Sequence, residues 1–126
     1  MKKCIIILAL STLLAGCGKG PSDYVKSLEL SDKSFTIETD DLDYIEATVK
    51  TEGNASTEIT AVSSDESLVA IEVYPDEEEP GLNYVDFESF EGTGEAEITV
   101  TTVGNGKNDK PISEKFTVKV VESLEE

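Results

Sequence analysis

Ala96-Glu97-Ile98-Thr99-Val100-Thr101-Thr102 is the cleanest strand signal in the chain, with apolar residues at every second position and Glu or Thr between them. Successive side chains of a strand point to opposite faces, so a period of two predicts one buried and one wetted face. The same alternation recurs on both sides of this stretch. Upstream it runs through Leu28 and Leu30, then Phe35 and Ile37, then Ile45, Ala47 and Val49. It continues through Ile59 and Ala61, Val69, Ile71 and Val73, and Val85 and Phe87, and downstream through Phe116, Val118 and Val120.

Turn residues punctuate these runs. Ser31–Ser34, the acidic segment Glu38–Asp43, Glu52-Gly53-Asn54, Ser63–Ser67, Glu91–Gly94 and Gly104–Pro111 read as turns or loops. Tyr74–Gly81 reads as a loop because two prolines and a charge run do not suit a central strand. No segment carries a helical stripe. Short strands with one apolar face each must bury those faces against one another, which predicts an all-β sandwich of two antiparallel sheets with about seven to nine strands. The expected interior is Leu28, Leu30, Phe35, Ile37, Ile45, Ala47, Val49, Ile59, Ile71, Val85, Phe87, Ile98, Val100, Phe116 and Val118.

Four stretches carry a family resemblance. They are Val25–Ser31, Ile45–Lys50, the corner Ile59-Thr-Ala-Val-Ser-Ser-Asp-Glu-Ser-Leu-Val-Ala-Ile71, and Ser89-Phe-Glu-Gly-Thr-Gly-Glu-Ala-Glu-Ile-Thr-Val-Thr-Thr102. Together the chain resembles a bacterial Ig-like domain of group 2 over roughly residues 25–121. The resemblance implies an Ig-like β-sandwich and a spacer, adhesive or carbohydrate-associated role, with no catalytic residues. Ala61 stands where the family often has Trp, so Phe87 or Tyr84 is expected to fill that space. The acidic segment Asp76–Pro80 also lengthens a turn that is short in the family.

The N-terminus carries a different signal. Lys2 and Lys3 precede the twelve-residue apolar stretch Cys4–Ala15, which ends in Leu14-Ala15-Gly16-Cys17. That run is shorter than the roughly 20 residues needed to span a bilayer, but it suits a secretory signal. Its ending resembles the bacterial lipobox, which implies cleavage before Cys17 and lipid attachment to the Cys17 thiol. The expected organisation is a signal peptide over 1–16, a lipidated Cys17 with a short tether over 17–24, the sandwich over 25–122 and a frayed end over 123–126. Such a product is exported and held on the extracytoplasmic side of a cell or outer membrane. The tether Gly18–Tyr24 reaches at most roughly 25 Å when extended, so the domain stays near its membrane.

Composition excludes several function classes. Removing residues 1–16 leaves 110 residues with eight Lys, no Arg and 27 acids, a net charge of −19. A surface this acidic repels nucleic acid, whose binding requires Lys and Arg on phosphates. It favours a cationic, metallic or glycan partner, or simply solubility. The chain has no His, and its two cysteines, Cys4 and Cys17, both belong to the lipoprotein signal. A disulfide framework, a thiolate zinc site, a cysteine nucleophile and a histidine acid–base group are therefore all excluded from the folded domain. The chain is read as non-enzymatic.

Two acidic segments invite a calcium site, because hard oxygen ligands and millimolar extracellular calcium suit such loops. One is Asp76, Glu77, Glu78 and Glu79; the other is Asp40, Asp41 and Asp43. They could share an ion if both lie at one end of the sandwich, although consecutive carboxylates do not converge on one ion and usually stay solvated. Tyr24, Tyr44, Tyr74 and Tyr84 either cap sandwich edges or form a glycan-stacking platform. Asn54-Ala55-Ser56 matches a glycosylation sequon, incidental in a bacterial protein. The function expected is a membrane-anchored lipoprotein with one non-catalytic domain that binds an envelope protein as an accessory or structural subunit. The alternative is a surface-exposed adhesion or carbohydrate-binding module, with calcium as an optional cofactor. The partner, whether envelope protein or glycan, is not legible in the residues.

Overall fold

The computed structural model describes residues 22–123. The signal segment, Cys17 and the residues immediately after it lie outside the described residues, as do positions 124–126. Eight strands are present: β1 (Tyr24–Leu30), β2 (Ser34–Glu38), β3 (Leu42–Glu52), β4 (Ile59–Ser63), β5 (Val69–Pro75), β6 (Leu82–Ser89), β7 (Gly94–Asn105) and β8 (Pro111–Val121). They form two four-stranded sheets, ordered β1-β3-β6-β5 and β2-β8-β7-β4. This is the strand arrangement of an immunoglobulin-like sandwich.

The first sheet is antiparallel throughout. The second is mixed, because β2 runs parallel to β8 with Phe35 opposite Val118 and Ile37 opposite Val120. The expectation of two antiparallel sheets is corrected at this one strand. After β1, the chain turns through Ser31–Lys33 and changes sheets, so β2 joins the edge of the opposite layer beside β8. It arrives in the direction of β8 rather than against it. Alternation within a strand says which side chains face inward, but not which neighbour the strand meets.

The alternating residues make the core. Ile45, Ala47, Val49, Val85, Phe87, Ile98, Val100, Phe116 and Val118 are all buried as expected. Val25, Leu68, Val69, Ala96 and Val120 join them, and Leu30, Phe35 and Ile71 pack against the cluster while partly exposed. Phe87 sits at the centre, its ring 5.1 Å from Phe35 and 5.8 Å from Phe116. Phe87 thus provides the large interior ring, whereas Tyr84 does not, because its position on β6 faces solvent. Pro75 closes β5 rather than opening a loop at Tyr74, which is tolerated because β5 is an edge strand and Pro75 its last residue.

Two buried polar side chains hold the places where regular pairing fails. The β7–β8 ladder shifts register between Thr101 and Asn105. Thr102 fills the gap by donating to the Gly104 carbonyl at 2.7 Å and accepting from the Ile112 amide at 2.9 Å. Ser89, 1% exposed, donates to the Glu38 carbonyl and accepts from the Asp41 amide at 2.9 Å, pinning the β2–β3 crossover to the end of β6. Replacing Ser89 with alanine should cost about 1–3 kcal/mol, since both backbone partners lose a hydrogen bond where water has poor access. A urea melt checks this, and an unchanged midpoint would show that the crossover is held without it.

Candidate functional site

The two acidic segments close opposite ends of the first sheet. Leu42 pairs with Glu88 at one end of the β3–β6 ladder, and Thr48 pairs with Leu82 at the other. Asp40 and Asp41 bond to Phe90 and Ser89 at the first end, while the Asp76–Glu79 loop enters β6 at Leu82. Six residues of strand, about 20 Å, separate them. The condition under which Asp40, Asp41 and Asp43 could share an ion with Asp76, Glu77, Glu78 and Glu79, that both segments lie at one end of the sandwich, is therefore not met. Among the described residues, no group of three or more acids stands close enough to hold a metal ion. The Asp76 carboxylate is instead committed to its own loop. Its Oδ2 accepts from the Glu78 and Glu79 amides at 2.9 and 2.8 Å, and its Oδ1 accepts from the Tyr84 hydroxyl at 2.7 Å.

That last bond leads to the solvent face of the same sheet. Tyr44 on β3, Tyr84 on β6 and Tyr74 on β5 all occupy outward positions of their strands. The register places Tyr84 opposite both Glu46 and Tyr74, and Asp86 opposite both Tyr44 and Glu72. The three rings form one stripe across three strands. Tyr44 meets Tyr84 edge-to-face at 5.7 Å and 77°, and Tyr84 meets Tyr74 at 5.5 Å and 39°. Tyr44 is 50% exposed and Tyr74 44% exposed, so the stripe presents aromatic surface to solvent. Tyr24 stands apart at the start of β1, where Lys107 lies 5.9 Å from its ring centroid. Three of the four tyrosines named from the sequence are thus brought together and one is not.

Carboxylates fill the squares between the rings. Glu46, Glu72 and Asp86 lie in the two central rows, with Glu88 and Asp76 at their borders. None of the three ion pairs among the described residues involves them; those pairs are Lys26–Glu52, Lys33–Glu114 and Lys115–Glu97. The Oδ1 atom of Asp86 is shut off from solvent and receives no hydrogen bond. The sequence singled out the tyrosines and Asp76 but not Glu46, Glu72, Asp86 or Glu88. Their outward parity was legible, whereas their place between the rings depends on strand order and register.

The hydrogen bond to Asp76, reinforced by burial, pushes the Tyr84 phenol up to about 12, and the same bond with the Glu78 and Glu79 amides holds Asp76 below its ordinary value. Burial, then the Asp86 charge, raises the Tyr74 phenol. The folded chain therefore keeps the Tyr84 proton after the unfolded chain has begun to release it at the ordinary 10.0. The stabilisation is fully present below pH 10 and is lost as pH rises toward about 12. Tyr84→Phe should make stability fall less steeply across that window, as read by unfolding midpoints against pH; an unchanged slope would refute the coupling.

A second surface feature is a shallow groove along the sandwich edge, lined by Leu28, Glu29, Leu30, Lys33 and Glu114. The Lys33–Glu114 pair at 3.2 Å occupies part of it. The described residues contain no histidine and no cysteine.

No family model and no curated protein sequence matches the chain. Solved structures do. Domains 1–6 of the surface-layer protein SbsC are similar with a TM-score of 0.65 and 12% identity, over 82% of this chain and 14% of that one. SbsC domains 4 and 5 are similar with a TM-score of 0.62 and 16% identity, over 79% of this chain and 53% of that one. The BIgI domain of beta protein from S. agalactiae, solved bound to CEACAM1, is similar with a TM-score of 0.45 and 10% identity, over 77% of this chain and 97% of that one. The chain spans about half or less of the length of the surface-layer structures. At these identities the likeness to them is one of fold.

Proposed function

We propose that this chain is a non-catalytic binding domain of the bacterial envelope, anchored through lipid on Cys17, which engages an envelope protein through the tyrosine-bearing face of its first sheet. The observation that supports the reading most is the gathering of Tyr44, Tyr84 and Tyr74 into one solvent-facing aromatic stripe. Exposed aromatic clusters are costly to leave in water and mark contact surfaces. Among the described residues the space between the sheets is filled by Phe, Val, Ile, Leu and Ala side chains. Similarity in fold to surface-layer domains agrees with a location outside the cytoplasm. An adhesion or carbohydrate-binding role is the second reading, favoured by the same three rings.

The test is in-cell photocrosslinking of the full-length lipidated chain, with the reactive side chain placed at Tyr44 or Tyr74. Val62, 60% exposed on the other sheet, is the control position. A single envelope protein captured from the tyrosine face and not from Val62 supports the reading. Equal capture from both positions, or no protein adduct at all, overturns it. Protease treatment of intact cells separates the two roles further: full protection excludes surface adhesion.

A further inference from the structure

We propose that the face built by Tyr44, Tyr84, Tyr74, Glu46, Glu72 and Asp86 docks an extended, basic polypeptide segment, whose Lys or Arg side chains at alternate positions seat over the rings and against the carboxylates. The proposal rests on the binding reading above and names the chemistry of its partner. Its first support is what the face offers. The central rows hold three phenol rings and three carboxylates, with no lysine among them. Lys50 lies on the same side of β3, four residues from Glu46 and six from Tyr44, about 13 and 20 Å along the strand. The Tyr84 hydroxyl already donates to Asp76. What a partner meets is mainly ring faces and carboxylate oxygens, so the partner must bring the positive charge.

Asp86 sharpens that demand. Its Oδ1 is closed from water and receives no hydrogen bond, and the Tyr74 phenol bonds the same side chain, so Asp86 adds negative charge to the face beside Tyr44 without adding a donor. The aromatic faces carry negative charge density, and a cation held over a ring is stabilised more when carboxylates flank it. Among the described residues a cation already stands over a ring, with Lys107 at 5.9 Å from the Tyr24 centroid.

The geometry selects a peptide over a sugar. A sugar stacks its flat face on an exposed ring, yet adjacent rings here meet at 77° and 39° and present no common plane. Ring centroids are spaced 5.7 and 5.5 Å along the stripe. In an extended segment, side chains on one face recur about every 6.6 Å, close enough for alternate basic residues to meet successive rings. A segment crossing three strands also uses the flat sheet as surface, whereas a small amine requires an enclosing cage.

The probe is a peptide of alternating arginine and serine, titrated against the full chain in detergent at about 0.15 M salt, where charges beyond about 8 Å are screened. The double substitution Tyr44→Ser and Tyr74→Ser leaves net charge unchanged and should weaken binding about tenfold or more. Glu72→Gln with Asp86→Asn should weaken it similarly. Glu77→Gln, Glu78→Gln and Glu79→Gln together remove three charges from the loop and should change affinity less than about twofold. Thermal melts confirm that each variant is folded. Affinity that follows net charge alone, or a tyrosine variant that binds like wild type, overturns the proposal. Competition by a neutral oligosaccharide also overturns it, in favour of sugar stacking. If photocrosslinking captures an envelope protein from this face while the basic peptide fails to bind, the partner chemistry is wrong and the binding reading stands. If the peptide binds and no protein is captured in cells, the binding reading fails instead.

Discussion

Phe87→Ala should lower the thermal midpoint by on the order of 20 °C, or leave the chain unfolded at growth temperature. Phe87 is wholly buried, and its ring bridges Phe35 of the second sheet's edge strand and Phe116 of that sheet's interior. Truncation removes the apolar burial of the ring and leaves a cavity, because two β-sheets are too stiff to collapse into it. Buried Phe→Ala changes cost about 3–5 kcal/mol, a large part of the roughly 5–15 kcal/mol that holds a domain of this size together. Each 1 kcal/mol is worth about 4–8 °C in a domain of about 100 residues. A circular-dichroism melt is sufficient to measure it. A shift below about 5 °C would mean that Phe35 and Phe116 close the gap between them, and that the sandwich is not centred on this ring.

Gly81→Ala should be comparably severe for a different reason. Gly81 has φ +90, a backbone conformation that L side chains rarely adopt, and an added Cβ would lie 2.5 Å from the Val49 carbonyl oxygen. Backbone oxygen cannot swing aside as a side chain can. The Gly81 carbonyl also accepts from the Val49 amide at 2.7 Å, so relieving the clash would break the bond that fastens the β5–β6 loop to β3. Strain in such a conformation costs about 1–3 kcal/mol, and the lost hydrogen bond about 1 kcal/mol more. The expected total is about 3 kcal/mol in a urea melt. Gly92→Ala is the contrast: its Cβ would meet only the Leu68 side chain at an ordinary 3.6 Å. That substitution should change stability by less than about 0.5 kcal/mol. Equal effects at both glycines would show that loss of glycine in general, rather than the approach to Val49, sets the cost. Gly81→Ala should also disturb the loop from which Asp76 holds Tyr84, joining the stability of the fold to the geometry of the binding face.

The inward residues were legible because burial and alternation obey one local rule. Ile45, Ala47 and Val49 face the core for the same reason that Glu46 and Lys50 do not. Val25 and Leu68 were not legible in this way. Val25 precedes the register shift in β1, and Leu68 lies in the turn after the Ser63–Ser67 corner, where alternation has no meaning. The candidate site was half legible. Each tyrosine of the stripe stands at an outward position, so its exposure followed from parity, but its neighbours did not.

By itself, the order of residues determined an all-β chain with a two-layer interior, a strongly acidic surface, and a folded domain without thiol, histidine or arginine. Those properties are local or additive, and no contact between distant segments is needed to set them. Tertiary structure alone decided that β2 runs parallel to β8, that the two acidic loops stand at opposite ends of a sheet, and that Tyr44, Tyr84 and Tyr74 touch. Tyr44 and Tyr84 are forty residues apart in the chain. They meet because β3 pairs with β6 in one register out of several, and a shift of two residues would keep every side chain on its proper face while moving the rings about 7 Å apart. What selects the register is the fit of Phe87 between Phe35 and Phe116 and the close approach of Gly81 to Val49. Both are contacts across the fold, which periodicity along the chain does not encode.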